Sequence, residues 1–172
     1  MVSELPAGVS IRPANTADIR AIRDLIEPLV VSRVLLGKEL VMLYEAVQEF
    51  MVAVKDGEVV GCGALHVFWE NLGEVRTLAV AKRDKGQGIG SALLAALEQK
   101  ASNLGLSQLF CLTFEVDFFS HHGFQPVEEP IVDPDVYVEL VRSPDEGVAE
   151  FLDLARVKPN TLGNSRMVKN LT

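Results

Sequence analysis

Three consecutive segments decide the fold: Val75-Arg-Thr-Leu-Ala-Val80, Lys85-Gly-Gln-Gly-Ile-Gly90 and Ser91-Ala-Leu-Leu-Ala-Ala-Leu97. The first is rich in β-branched residues and has a period of two, which predicts a strand with Glu74, Arg76, Leu78 and Val80 on one face. The second is a glycine-rich turn. The third has apolar residues at helical spacing, which predict a helix that ends near Gly105. The inward face of that helix would carry Ile89, Leu93, Leu97, Ala101 and Leu104.

The glycine-rich turn is suited to binding a phosphate group. Its glycines alternate at Gly86, Gly88 and Gly90, so that consecutive N–H groups can converge on one point. The helix that follows adds free N–H groups and the positive end of its dipole. The Walker pattern does not fit, because Ser91-Ala92 follows the last glycine, and the dinucleotide fingerprint requires a different glycine spacing. An ordinary surface turn is the alternative interpretation.

Composition bounds the class of protein. The 172 residues suit one domain, and 48% hydrophobic with 23% charged residues is typical of a soluble globular protein. A net charge of −8 argues against nucleic-acid and anionic-membrane partners. No apolar run approaches a membrane span, and no secretory signal is evident, so we expect a cytoplasmic protein. Cys62 and Cys111 lie in apolar runs and are expected to be buried, without a disulfide or metal role.

The remaining chain is predicted to alternate between strands and helices. Asp56-Gly57 indicates a tight hairpin turn, and Asp133-Pro134 indicates the start of a late helix. We expect residues 1–8 to form a flexible tail and 9–172 a single domain. The predicted elements are a strand at 9–13, helices from Asn15 or Thr16 to Leu29 and over 38–47, strands at 49–55, 58–68, 72–80 and 107–114, a helix at 116–122, a strand from Phe124, a strand at 150–154, and a polar turn-rich segment at 158–166.

Lys85, Gly88 and Gly90 resemble motif A of the GCN5-related N-acetyltransferases (GNAT), written Gln/Arg-x-x-Gly-x-Gly/Ala. The resemblance covers about residues 9–126. It implies an α/β fold with a mixed, mostly antiparallel central sheet, helices on both faces and a splayed cleft for coenzyme A. Lys85 keeps a cation at the motif's first position but lacks the planar fork of Arg. The resemblance implies acetyl-coenzyme A (acetyl-CoA) as cosubstrate, no metal, and a coenzyme site made of Leu78, Ala79, Val80, Lys85, Gly86, Gln87, Gly88, Ile89, Gly90, Ser91, Phe119 and His122.

Acetyl transfer to an amine needs a base and a hydrogen-bond donor for the thioester oxygen. Members of the family often place a Glu where this chain has Glu74, and they bond the thioester carbonyl with a backbone N–H near Leu78 or Ala79. Glu74 could instead pair with Arg76, whose charge would keep it ionised and lower its basicity. The family's usual Tyr acid is replaced by Phe119. Ser120, His121, His122 or water could substitute, although a pair of histidines at a helix end is also typical of a surface or capping feature.

A closer resemblance covers nearly the whole chain. Leu43-Tyr-Glu-Ala-Val-Gln-Glu-Phe50, Val59-Val-Gly-Cys-Gly-Ala-Leu-His66 and residues 109–114, 147–154 and 158–167 are similar to the short actinobacterial N-acetylglutamate synthases. It implies that acetyl-CoA and L-glutamate give N-acetyl-L-glutamate, the first step of arginine biosynthesis. A dicarboxylate needs cationic or N–H-rich partners. The substrate candidates are Lys38, Arg76, Ser165 and Arg166, with Arg33 and Asn164 as further possibilities.

Several alternatives stay open at the level of sequence. L-Glutamine is a plausible second acceptor, because its side-chain amide replaces a carboxylate and so costs only one charged contact with the protein. The chain could acetylate another small amine, or it could be a non-catalytic domain that senses acetyl-CoA. Arginine feedback and a homodimer are expected only from the resemblance to the family. Residues 127–172 are expected to be a family-specific C-terminal extension of the single domain.

Overall fold

The computed structural model describes residues 4–35, 37–129, 132–152 and 163–171. Within these ranges the chain forms seven strands and six α-helices, with three short 3-10 helices between them. The strands are β1 (Val9–Pro13), β2 (Phe50–Lys55), β3 (Glu58–Trp69), β4 (Leu72–Val80), β5 (Gln108–Thr113), β6 (Gln125–Pro126) and β7 (Ser165–Asn170). The helices are α1 (Ile19–Val31), α2 (Leu40–Glu45), α3 (Ile89–Asn103), α4 (Val116–His121), α5 (Pro134–Leu140) and α6 (Glu146–Phe151).

All seven strands belong to one sheet in the order β1-β2-β3-β4-β5-β7-β6. Each neighbouring pair is antiparallel except β4 and β5, which are parallel. The β2–β3 hairpin turns through Asp56 and Gly57, both with positive φ, as predicted. The mixed, mostly antiparallel sheet expected from the sequence is therefore confirmed.

Two predictions for the C-terminal part are wrong. The strand expected from residue 150 is instead the end of α6, whose Val148 and Phe151 are buried at helical spacing. Asp145 caps that helix by accepting a hydrogen bond from the Val148 N–H. The segment expected to be turn-rich gives way at Ser165 to β7, which pairs with β5 on one side and with the edge strand β6 on the other. Residues 153–162, which include most of that segment, lie outside the described residues.

The strands β4 and β5 pair only at their first three residues. Leu72–Glu74 align with Gln108–Phe110, although β4 continues to Val80 and β5 to Thr113. Beyond Glu74 the edges of the two strands face each other without pairing. The sheet is therefore splayed at this point, as expected from the resemblance.

A β-bulge at Thr77 changes which face β4 presents. Thr77 has φ of +57°, and the register against β3 shifts between Arg76 and Ala79. The period-two pattern predicted that alternate residues from Glu74 to Val80 share one face, and this prediction is wrong. Glu74 and Arg76 face α6, whereas Leu78 packs with the core beneath α3, because the bulge inserts one extra residue.

Helices cover both faces of the sheet. The α1 residues Ile19, Ile22 and Ile26 are buried against β2 and β3, as predicted. On the other face, four of the five predicted α3 residues are buried. The fifth, Leu104, is 57% exposed, since α3 ends at Asn103. No helix among the described residues is long and apolar enough to cross a membrane. The proposed domain limits and the flexibility of residues 1–8 remain predictions.

Candidate active site

A cavity of about 750 Å³ opens where β4 and β5 separate. The glycine-rich loop and the start of α3 form one wall, and residues of β5 and α4 form the other. The structure brings to this cavity ten of the twelve residues predicted to bind acetyl-CoA. They are Leu78, Ala79, Val80, Lys85, Gly86, Gly88, Ile89, Gly90, Ser91 and Phe119.

Two glycines of the loop have a left-handed backbone conformation, while Gly90 already belongs to α3. Gly86 and Gly88 have φ of +79° and +85°, a conformation that other residues adopt only with strain. Gly88 is the N-cap residue of α3 and has no side chain to cap it. The first N–H groups of this fifteen-residue helix therefore remain available to an anion in the cavity.

A partly buried ion pair holds the residues that precede the loop. Asp84 accepts hydrogen bonds from Lys55 Nζ at 2.9 Å and from Arg83 Nε at 3.2 Å, and its side chain is only 4% exposed. The hydrogen bond from Lys55 holds the pKa of the Asp84 carboxyl below its usual range. Because Lys55 lies on β2, this contact attaches the residue just before the glycine loop to the sheet.

His122 supports the loop without lining the cavity. Its Nδ1 lies 2.8 Å from the carbonyl oxygen of Phe118, and its Nε2 lies 3.0 Å from Ser91 Oγ. Because a carbonyl oxygen only accepts, Nδ1 carries the proton in the neutral ring, and Ser91 donates to Nε2. Phe119 packs edge-on to Phe124 in the core and has no proton to donate.

A second, smaller cavity adjoins the first. Both are lined by Val34, Leu35, Arg76, Thr77 and Leu112, so that the two spaces meet at the splay of the sheet. Charged and polar groups dominate the remaining wall of the small cavity. They are Lys38, Glu74, Asp145, Glu146, Glu150 and Asn164.

Glu74 is the predicted base, and it lies at the last paired position between β4 and β5. It is 4% exposed, and burial raises the pKa of its carboxyl even though the adjacent Arg76 opposes the shift. The sequence led us to expect that Arg76 would lower the basicity of Glu74. The structure reverses the direction, because the cost of burying the charge is the larger effect.

Arg76 forms a buried ion pair with two carboxylates. Its Nε and Nη2 lie 2.9 and 2.5 Å from Glu74 Oε2, while Nη1 and Nη2 bond the two oxygens of Asp145 at 2.9 and 2.8 Å. Although burial favours the neutral acid, hydrogen bonds from Arg76 hold the pKa of Asp145 well below its usual range. Four hydrogen bonds thus fix the guanidinium in place at the junction of the two cavities.

The other predicted substrate residues are placed differently. Lys38 lines the small cavity and makes no hydrogen bond or ion pair with any described residue. Burial and the nearby Arg76 lower the pKa of its ammonium. Arg166 donates instead to the carbonyl oxygens of Glu128 and Phe151, at 2.9 and 2.5 Å, and the structure does not bring it to the cavity. Ser165 pairs with β5 in the sheet. Neither Ser165 nor Arg33 is among the residues that line the two cavities.

Sequence reasoning missed several residues of the small cavity. Asp145, Gly147 and Glu150 come from α6, which approaches Arg76 from 69 or more positions along the chain. His66 lies behind Asp145, with Nε2 3.8 Å from Asp145 Oδ2 and Nδ1 2.9 Å from Glu49 Oε1. No local pattern marks these residues. Only the buried charge of Arg76, which must be paired, could have suggested that a distant carboxylate exists.

The cysteines do not supply a nucleophile. Cys62 is fully buried and lies 3.4 Å from the carbonyl oxygen of Thr77, and burial raises the pKa of its thiol to about 12. Burial also raises the pKa of the Cys111 thiol. Among the described residues, no group of His, Cys, Asp or Glu side chains is arranged to hold a metal ion.

Comparison with known sequences gives a family match over most of the chain. Residues 22–124 match the family described as acetyltransferase (GNAT). The chain is 53% identical over 161 residues to an amino-acid acetyltransferase of Mycobacterium tuberculosis, with 92% of each protein covered. It is 38% identical over 125 residues to an amino-acid acetyltransferase of Neisseria meningitidis serogroup A, covering 72% of this chain but only 29% of that longer protein.

Solved structures give the same result. The crystal structure of Rv2747 from Mycobacterium tuberculosis, in complex with CoA and NLQ, matches with a TM-score of 0.91 and 52% identity, covering 95% of this chain and 99% of that chain. N-acetylglutamate synthase from Neisseria gonorrhoeae, complexed with coenzyme A and N-acetyl-glutamate, matches with a TM-score of 0.77 and 30% identity. That match covers 96% of this chain and 36% of the synthase.

Proposed function

Because the chain belongs to the acetyltransferase (GNAT) family, we propose that it transfers the acetyl group of acetyl-CoA to the amino group of L-glutamate. The products would be N-acetyl-L-glutamate and CoA, and the reaction would serve the first step of arginine biosynthesis. The observation that carries this proposal is the meeting of two cavities at the splay between β4 and β5. One cavity is lined by the glycine loop, and the other by Glu74 and two cationic side chains.

The larger cavity would hold acetyl-CoA. Free N–H groups at the start of α3 would bind the pyrophosphate, with Lys85 as a nearby cation. The bulge leaves Thr77 and Leu78 outside the register with β3, and β5 has already diverged from this edge. Backbone N–H groups near Leu78 could therefore bond the thioester oxygen as negative charge develops on it.

The amine would approach from the smaller cavity. Its nitrogen attacks the thioester carbon, a C–N bond forms and the C–S bond breaks. Glu74 would take the proton that the amine loses, directly or through water, and a raised pKa makes its carboxylate the stronger base. The departing thiolate would take a proton from water.

The small cavity also suits an amino acid with acidic groups. Lys38 supplies an ammonium with no described partner, and Arg76 has five N–H donors, of which four bond described residues. The Asn164 amide lines the same space, and it donates to Glu150 Oε1 at 2.5 Å. Acidic side chains across the cavity would favour the substrate's ammonium group before it loses its proton.

Three finer points belong to the same proposal. L-Glutamine is a second candidate acceptor, because a cavity with several carboxylates and two cations does not require two negative charges on its ligand. Arginine is proposed as a regulator, on the strength of a Neisseria gonorrhoeae synthase complexed with coenzyme A and L-arginine, of which this chain covers 34%. A homodimer and a cytoplasmic location are proposed from the family.

A thiol-release assay with acetyl-CoA and a panel of amino acids, with and without arginine, tests the proposal. We expect turnover with glutamate or glutamine well above aspartate, lysine and peptides, and a loss of about 10²-fold or more in Glu74→Gln. Glu139→Gln, on the exposed part of α5, is the matched control and should retain activity. Turnover only with an unrelated amine would reject the substrate. Coenzyme binding without any turnover would favour a sensor.

A further inference from the structure

Arg76 holds only one of the two oxygens of Glu74. Both of its hydrogen bonds to this carboxylate reach Oε2, at 2.9 Å from Nε and 2.5 Å from Nη2. Among the described residues, Oε1 accepts no hydrogen bond, and the carboxylate lines the small cavity. The ion pair therefore leaves Oε1 as the oxygen that a ligand or a water in the cavity can reach.

The opposite edge of the Arg76 guanidinium is held by Asp145 in a bidentate pair. Asp145 is itself fixed, because Oδ1 also accepts the Val148 N–H at 2.9 Å as the N-cap of α6. The backbone of α6 lies directly against the pair, since a Cβ on Gly147 would be 2.5 Å from Arg76 Nη2. A bidentate pair with a capped carboxylate has one geometry, so Arg76 cannot rotate without breaking several hydrogen bonds.

From this arrangement we propose that Arg76 and Asp145 are positioning residues for Glu74. Together they hold Oε2 so that Oε1 faces the cavity where the amine is expected. The inference rests on the proposed function, in which Glu74 takes the proton of the amine. Neither residue is assigned a contact with the reacting atoms.

The two residues act on the charge of Glu74 with opposite signs. Arg76 favours the ionised carboxylate, while Asp145 and Glu150 disfavour it, and burial disfavours it most of all. Lys38 also faces this group from the far side of the cavity, while His66 and Glu49 act on Asp145 from behind. Removing the Asp145 charge should therefore make Glu74 easier to ionise, and removing the Arg76 charge should make it harder.

The pH dependence of kcat/KM for glutamate gives a signed test. We expect the acid limb to move to lower pH in Asp145→Asn and to higher pH in Arg76→Gln. Both variants should lose between about tenfold and a hundredfold in kcat, because Oε1 is no longer held, with acetyl-CoA affinity changed less than about twofold. Glu139→Gln, which removes an exposed carboxylate from α5, should leave both the profile and kcat unchanged.

A readout without turnover separates this inference from the proposed function. The carboxyl ¹³C resonance of Glu74, assigned by its absence in Glu74→Gln, should titrate at lower pH in Asp145→Asn and at higher pH in Arg76→Gln. If the wild-type protein acetylates no amino acid but these shifts occur, the proposed function is rejected, whereas the effect of Arg76 and Asp145 on Glu74 is supported. Shifts in one common direction, or none, in variants that have lost activity would overturn the positioning role.

Arg76→Lys keeps the test decisive should Arg76→Gln fail to fold. The lysine retains the charge but cannot make the two-sided planar contact. We expect its acid limb to stay near that of the wild type while kcat falls. A kcat equal to that of the wild type would show that the geometry of the guanidinium is irrelevant, and would also overturn the proposal.

Discussion

Gly147 lies directly against the guanidinium of Arg76. A Cβ at this position would be 2.5 Å from Nη2, 2.8 Å from Cζ and 2.9 Å from Glu74 Oε2. The Arg76 side chain cannot move away at low cost, because it is 7% exposed and makes four hydrogen bonds. One missing side chain on α6 therefore allows the buried ion pair to form.

Gly147→Ala should lower both activity and stability. Alanine usually stabilises a helix relative to glycine, but here the added methyl group must displace Arg76. We expect the free energy of unfolding to fall by about 1–3 kcal/mol, measured by urea denaturation at pH 7. Gly90→Ala is the control for stability, because its Cβ would lie 3.6 Å from Phe118, an ordinary contact. Equal stability of the two variants would contradict the close contact.

Asp84→Asn should destabilise the protein in a pH-dependent way. The folded state holds the pKa of Asp84 below its unfolded value, so its contribution is present above the unfolded value, near pH 4, and is lost as the pH falls through the folded one. The variant should therefore be less stable than the wild type at pH 7, and the difference should shrink towards pH 3. Urea denaturation across this range measures it.

The control for Asp84 is a neighbouring exposed pair. Glu58 bonds Arg83 at 2.6 Å, but the two side chains are 70% and 68% exposed, so solvent screens their attraction. Glu58→Gln should leave stability unchanged at every pH. A loss as large as that of Asp84→Asn would show that burial is not what gives the Lys55–Asp84 pair its effect.

His122 and Ser91 should act as one unit in coenzyme binding. Ser91→Ala and His122→Asn should each weaken CoA binding by about three- to tenfold, because each removes the hydrogen bond at the start of α3. The double variant should be no weaker than either single one. Calorimetric titration measures the affinities, with exposed Asp117→Asn on α4 as the control. Fully additive losses would mean that the two residues act separately.

Lys38→Met should separate activity from stability. The KM for glutamate should rise by about tenfold or more, because the ammonium is a proposed carboxylate partner, while CoA affinity stays unchanged. Burial and Arg76 lower the pKa of Lys38, so its charged form opposes folding at pH 7. The variant should therefore unfold at a higher urea concentration than the wild type. Lower stability together with an unchanged KM would remove Lys38 from the substrate site.

The alkaline limb of the pH profile of kcat/KM gives a second test of Lys38. With a pKa lowered from 10.5, Lys38 should lose its proton below that pH, and the kcat/KM for glutamate should fall there. Lys38→Met should lack this limb. A limb that persists in the variant would belong to another group.

Local patterns predicted most of the fold. The hairpin at Asp56-Gly57, the inward isoleucines of α1 and the glycine loop before α3 all depend on residues that are close in sequence. The same holds for one wall of the coenzyme cavity, which a strand, a loop and a helix form in succession, whereas β5 and α4 supply the other wall. Local patterns do not predict β7, since this polar strand depends on its pairing with β5 and β6.

The family architecture and the position of the glycine-rich loop follow from local patterns, because backbone conformation and hydrophobic period are local properties. The chemistry around Glu74 arises instead from the packing of segments that are distant along the chain. The bulge at Thr77 reverses the face of β4, and α6 brings Asp145 to Arg76 from 69 residues away. Burial then raises the pKa of Glu74, although the charge of Arg76 lowers it. Bulges, distant ion pairs and desolvation depend on how the elements pack together, so no pattern within one segment records them.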